Sequence, residues 1–197
     1  MSENNSEPES HSDSDSDQSD SDEFYERVFL QHCHDNNLEG VDDCLPVGID
    51  VDIVSEDGKW SGLTIAAEKN YLELLEMLLS NDVEINNTVR KYGYERTALM
   101  VACSAGNSAI VSRLIQEPDL DINYEDRRGY TALLLADESG HTDCVRILAE
   151  TGRVDWNKRE ILAILLRYPG VDLSCRDKRG WSLVFRAIRI NERGEKI

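Results

Sequence analysis

Long apolar runs are missing from this sequence. The longest uninterrupted aliphatic stretch, Ile161 to Leu166, is six residues, against the roughly 20 that a membrane-spanning helix needs. Residues 1–23 hold neither a positive n-region nor an apolar h-region, so no secretory signal is expected and the chain is placed in the cytoplasm, the nucleus or both. Basic charge is scarce as well: 21 Lys and Arg stand against 39 Asp and Glu, a net charge of −18. A body of that sign repels phosphate backbones and anionic lipid, so neither nucleic acid nor membrane is expected as a partner.

Spacings that carry chemistry are absent too. The five cysteines (Cys33, Cys44, Cys103, Cys144, Cys175) form no C-x-x-C pair, which removes the sequence support for zinc or thioredoxin-type redox sites. Four of them sit beside apolar residues in helix-like segments, the usual setting of buried, reduced thiols. No glycine-rich phosphate loop, G-x-S-x-G elbow or usable Ser/His/Asp spacing occurs, so neither an enzyme nor a cofactor site is expected. His32, Cys33 and His34 resemble a metal fragment, but helical neighbours point in different directions. Cys33 is expected in the core, with both histidines facing solvent.

What is present begins with an acidic leader. Residues 1–22 are mostly Ser, Asp, Glu and Asn, with no aliphatic residue after Met1 and no Lys or Arg before Arg27. Such a segment cannot bury enough apolar surface to offset chain entropy and is expected to be a disordered acidic tail. Ser6, Ser10, Ser12, Ser14 and Ser19 each have an acidic residue three positions on, the spacing of acidophilic kinase substrates, and are candidate phosphorylation sites.

Beyond the leader the chain repeats itself. Ser61-Gly62-Leu63, Thr97-Ala98-Leu99 and Thr131-Ala132-Leu133 recur at intervals of 36 and 34 residues, and Ser182-Leu183-Val184 follows after 51. Around the third of these, Gly129 suits a tight turn with positive φ, and Thr131 is a helix N-cap. Leu133 and Ala136 share one helical face, Gly140 ends the helix, and Val145, Ile147 and Leu148 form the apolar face of a second. A divergent opening unit runs from Cys33 through Asn36, Asn37 and Leu38 to Gly48 and Val51. A period near 33 with a Thr-Pro-Leu-like box resembles the ankyrin-repeat family. That resemblance implies an all-α solenoid of helix-turn-helix units with β-turn fingers along one edge, binding proteins through fingers and first helices.

Residues 23–197 are accordingly expected to form the repeat domain, divided at 24–55, 56–89, 90–125 and 126–157, then a half repeat at 158–174 and an incomplete terminal unit at 175–197. The half repeat reads as a second helix without its first. In the terminal unit, Val184, Phe185 and Ile188 lie on a first helix with no second to follow. This is expected of a truncated or exon-skipped form of a longer array, or, if Ile197 is the native terminus, of an oligomerisation surface. Asp137 occupies a position held by Ala67 and Cys103 in other repeats, so a structural partner is expected for its carboxylate.

The finger turns concentrate Lys59, Trp60, Arg90, Lys91, Tyr92, Tyr94, Arg96, Arg127, Arg128, Tyr130, Arg176, Lys178, Arg179 and Trp181. Aromatic and Arg side chains most often anchor interfaces, so Lys59, Trp60, Lys91, Tyr92, Tyr94, Arg96, Arg127, Arg128, Tyr130, Lys178, Arg179 and Trp181 are the candidate partner-binding residues. The alternative is that Trp60 and Trp181 only pack neighbouring fingers. The acidic leader has the charge to compete for these basic fingers. The expected function is a regulatory or scaffolding protein-binding module. The alternatives are an adaptor bringing an enzyme such as a ubiquitin ligase or phosphatase to its substrate, or an acidic chaperone for basic proteins.

Overall fold

The computed structural model describes residues 15–91, 93–155 and 167. Among the described residues four helical pairs follow one another: α1 (Asp15–Asp35) with α2 (Leu38–Cys44), α3 (Gly62–Lys69) with α4 (Leu72–Leu79), α5 (Ala98–Ala105) with α6 (Ser108–Leu114), and α7 (Ala132–Glu138) with α8 (Thr142–Glu150). The first helices pack in series, α1 on α3, α3 on α5 and α5 on α7, and the second helices form an outer row through α4, α6 and α8. Among the described residues no helix is long and apolar enough to cross a membrane.

Local chemistry starts each first helix where the repeat pattern places it. The hydroxyls of Ser61, Thr97 and Thr131 accept from the backbone N–H of Thr64, Met100 and Leu134, satisfying one otherwise open donor each. Each first helix ends at a left-handed residue: Asn36 (φ 53°), Asn70 (60°), Gly106 (78°) and Gly140 (76°). Ala66, Ala67, Ala102, Cys103 and Ala136 are fully buried between first helices, where their small size permits close approach. Leu74, Leu75, Leu78, Ile110, Val111, Leu114, Val145 and Leu148 close the core against the second helices.

Polar side chains register one unit on the next. Asn86 Nδ2 donates to the Asp119 carbonyl at 2.8 Å while its Oδ1 accepts from the Asp121 N–H at 2.8 Å. Asn123 repeats the arrangement with the Arg153 carbonyl (2.9 Å) and the Asp155 N–H (2.6 Å). Asp52 accepts from the Glu84 N–H at 3.0 Å. Each asparagine satisfies two backbone groups at once, so Asn86→Ala and Asn123→Ala are each expected to lower stability by about 1–2 kcal/mol. Urea midpoints of the two variants and of the double variant test this, and near-additivity is expected because the rungs lie one repeat apart.

The structure refines the sequence expectation of the repeat frame in three places. Helix α1 begins at Asp15, so its first turns fall within the acidic segment 1–22. Phe29, Leu30 and Cys33 anchor its far end in the core, and adding turns to a formed helix is cheap, more so with acidic residues at the N-terminal end of the dipole. One finger is not a simple turn but an antiparallel hairpin, β1 (Thr88–Lys91) with β2 (Tyr94–Thr97), paired from Thr88↔Thr97 to Lys91↔Tyr94. The histidines beside Cys33 are half-buried instead of solvent-facing. His32 lies within hydrogen-bonding distance of Asn37 Nδ2 (3.1 Å), and His34 meets the Trp60 ring edge-on at 5.1 Å.

Asp137 has its partner: Arg167 Nη1 lies 3.2 Å from Oδ2. The remainder of the half repeat, the terminal unit with Val184, Phe185 and Ile188, and residues 1–14 lie outside the described residues.

Candidate protein-binding face

Among the described residues three fingers stand side by side, each built differently. In the first, between α2 and α3, the Ser55 N–H donates to the Trp60 carbonyl (2.8 Å), and the Trp60 N–H donates to Ser55 Oγ (3.0 Å). At its tip Asp57 accepts from the Lys59 ammonium at 2.8 Å and from the Lys59 N–H at 3.1 Å. Those bonds, with one from Ser55, hold the Asp57 carboxyl down at about 2. The second finger is the hairpin, turned at Gly93 (φ 82°). It is tied to the first by the Arg90 N–H donating to the Gly58 carbonyl at 2.6 Å.

The third finger turns around one carboxylate. Asp126 Oδ1 accepts from the backbone N–H of Arg128 (2.8 Å) and of Tyr130 (3.0 Å), while its own N–H donates to the Tyr130 carbonyl (2.9 Å). The side chain is fully buried, and its second oxygen lies 4.0 Å from Arg96 Nε on the hairpin. Arg127 reaches back to pair with Glu95. Arg128 places its guanidinium carbon 5.1 Å from the Tyr94 ring centroid and 4.7 Å from that of Tyr130, within cation–π range of both. The second and third fingers are thus interlocked by charge and by ring contacts.

The structure separates the candidate residues into groups. Lys59, Arg127 and Arg128 are exposed, and Tyr94 and Tyr130 are half-buried with the finger edge around them. Lys91 and Arg96, nominated as partner-binding residues, are instead buried, 4% and 8% exposed. Lys91 lies over the Trp60 ring, Nζ 3.7 Å from its centroid, and pairs with Glu68. Burial lowers the Lys91 pKa, with the Glu68 carboxylate opposing that shift. Trp60 is half-buried between this ammonium and His34. The physical reason is strand alternation: a hairpin turns every second side chain toward the first helices, so neighbours such as Arg90 and Lys91 go to opposite sides. Tyr92, Lys178, Arg179 and Trp181 lie outside the residues whose side chains are described, as do Ser6, Ser10, Ser12, Ser14 and Ser19.

Lys91, Arg96 and Glu68 line a cleft of about 130 Å³ with Val101, Ser104 and Ala105, between the hairpin and the first helices α3 and α5. Composition gave no signal for this cleft, because its charged residues come from three elements, with Lys91 paired to Glu68 and Arg96 beside Asp126. Among the described residues no group of three or more His, Cys, Asp or Glu could hold a metal ion. Burial, then the charge of Cys44, pushes the Cys33 thiol up to about 12, leaving it protonated and unreactive at neutral pH.

His34 beneath Trp60 has a lowered pKa, first from burial and next from the Lys69 ammonium, with Asp35 and Glu68 opposing. The unfolded chain therefore binds this proton more readily than the folded one. Stability is full above the unperturbed value of 6.5 and falls as pH drops below it. Urea midpoints between pH 7.5 and 5.5, about one unit either side of an unperturbed histidine, should show a smaller fall in a His34→Gln variant than in wild type.

The stacked pairs with fingers along one edge define a repeat solenoid. The family model for ankyrin repeats in three copies matches residues 29–126 and again residues 63–160, and the chain belongs to the ankyrin-repeat family, a family of protein-interaction modules. Among curated relatives, cortactin-binding protein 2 of Mus musculus is 47% identical over 60 residues, covering 30% of this chain and 4% of that protein. The same-named proteins of Ovis aries and Microcebus murinus are each 48% identical over 52 residues, 26% of this chain and 3% of theirs. The chain spans only a few hundredths of the length of these relatives.

Proposed function

We propose that this chain is a non-catalytic regulatory or scaffolding module that binds another protein through the edge formed by its second and third fingers. The observation that carries this is the Tyr94, Arg127, Arg128 and Tyr130 cluster, in which exposed Arg128 lies against tyrosine rings of two adjacent fingers and exposed Arg127 pairs with Glu95 between the same fingers. Aromatic and Arg side chains held in place before binding lose little freedom on contact and so anchor interfaces efficiently. The similarity to proteins named for binding cortactin supports protein interaction as the class of activity; at a few hundredths of their length it does not transfer their partner. Among the described residues, four buried free thiols fit a reducing compartment, cytosol or nucleus.

The test is affinity capture with quantitative mass spectrometry, comparing the full chain with a Tyr94→Ala/Arg128→Ala/Tyr130→Ala variant. Trp60 and Lys91 are left intact, because the buried pairing beneath them would confound a binding loss with a folding loss. A distinct set of proteins should drop by tenfold or more, about 1.4 kcal/mol, with far-UV circular dichroism unchanged. Equal capture by both chains defeats the proposal.

A further inference from the structure

Of the described finger cations, four stand beside a carboxylate, whereas Arg90 and Arg128 have none among the described residues. Lys59 is paired with Asp57, Lys91 with Glu68 and Arg127 with Glu95, and Arg96 lies beside Asp126. The Arg128 guanidinium has two tyrosine rings and, among the described residues, no carboxylate. Ring contact holds a guanidinium through its π face, whereas recognition of a carboxylate or phosphate uses the N–H edge in the plane of the group. Among the described residues, then, no carboxylate takes the N–H edge of the Arg128 guanidinium, and the two rings lie within cation–π range of it.

Helix α1 supplies a direction for the acidic segment that precedes it. The residues closing the first helices, Asn36, Asn70, Gly106 and Gly140, share the left-handed conformation. Nine positions before the last three stand the N-caps Ser61, Thr97 and Thr131; the same position in α1 is Arg27. Arg27 Nε lies 3.8 Å from Glu56 Oε1 on the first finger, at the level where the other first helices begin. Since α1 begins at Asp15, about 18 Å of helix runs on past that level, toward the finger side of the solenoid.

Reach then selects which residues can meet Arg128. First helices packed about 8–10 Å apart put the third finger roughly 25–30 Å along the row from α1. An extended chain covers up to about 3.4 Å per residue. Counted back from Asp15, Asp13 falls far short and Glu9 spans only about 20 Å, whereas Glu7, Ser6 and Glu3 span about 27, 31 and 41 Å. A tether of this length holds its ligand at an effective concentration near the millimolar range, which suits one weak charge-assisted contact. At physiological salt the screening length of about 8 Å limits the repulsion from the rest of the acidic body.

We propose that the Tyr94–Arg128–Tyr130 clamp is an oxyanion-binding site for the chain's own residues 3–7, taking the carboxylates of Glu3 or Glu7, or the phosphate of Ser6 when that serine is phosphorylated. The clamp lies on the edge proposed for partner binding but does not depend on a partner binding there.

The experiment is nuclear magnetic resonance on the full-length, uniformly ¹⁵N-labelled chain. Backbone amide shifts of residues 3–9 are compared in wild type, in Arg128→Gln, and in a free peptide of residues 1–14. The wild-type shifts should differ from those of the free peptide. They should return to the peptide values in Arg128→Gln and at about 0.5 M salt, where screening is within a few ångströms. A Glu3→Gln/Glu7→Gln variant with and without phosphorylated Ser6 separates the two sources. Recovery of the bound shifts only with phosphate assigns the site to phosphoserine, and their retention in unphosphorylated wild type assigns it to carboxylate. Identical shifts in wild type, Arg128→Gln and the peptide, phosphorylated or not, overturn the proposal. So does a salt-sensitive shift that Arg128→Gln leaves in place. Either outcome leaves the partner-capture experiment free to succeed or fail by itself.

Discussion

Asp126→Ala is expected to lower stability by about 3 kcal/mol, far more than an ordinary finger substitution. One oxygen of the fully buried carboxylate accepts from the Arg128 and Tyr130 amides, and the other neighbours the nearly buried Arg96. Alanine removes two charge-assisted hydrogen bonds from a turn and leaves a cation without its counter-charge, which is the costly way to break a buried pair. Asp126→Asn keeps an acceptor for the amides and should lose only about 1 kcal/mol. Urea denaturation of both variants checks this, and an alanine cost below the asparagine cost would falsify it. Because the same turn carries Arg128 and Tyr130, the alanine variant should also lose the partners captured through the finger edge.

Gly106→Ala is expected to cost about 3 kcal/mol, whereas Gly140→Ala should cost only about 1. Both glycines are left-handed, φ 78° and 76°, so both substitutions incur the steric penalty of that conformation, about 1–2 kcal/mol. Only at Gly106 would the new methyl meet a side chain: it would lie 2.5 Å from Nδ1 of His141, while nothing approaches within 4 Å at Gly140. His141 cannot yield freely, since its Nε2 lies 3.2 Å from the Ser104 carbonyl, joining the turn of one repeat to the first helix of the preceding one. In a His141→Ala background the Gly106→Ala cost should shrink to that of Gly140→Ala. A double-mutant cycle on thermal or urea unfolding measures this coupling, and zero coupling would refute the packing account.

Much of the fold was legible before any coordinates. Thr97 and Thr131 cap helices because a hydroxyl at that position accepts from an amide three residues on, a relation contained in local sequence. The alanines at 66, 102 and 136 announce close helix contacts by their size and period. The start of α1 was not legible, because composition weighs residues 15–22 as solvated charge and does not register that a helix anchored at Phe29 and Cys33 can extend backwards at little cost. The candidate interface was legible only in part. Lys91 and Arg128 are both basic residues in finger turns, yet one is buried on Trp60 and paired with Glu68 while the other is exposed between two tyrosines.

Sequence alone therefore determined the period, the caps, the small-residue seam between first helices and the membership of a protein-binding repeat family, since each depends on contacts within one unit or between identical positions of neighbours. Tertiary structure alone decided which finger cations face outward, because that depends on hairpin pleat and on carboxylates such as Glu68, Glu95 and Asp126 that lie 23 to 32 positions away in the chain. Coulomb energy falls with distance in space and not along the sequence, so charge composition identified the edge and only the fold could distribute its partners.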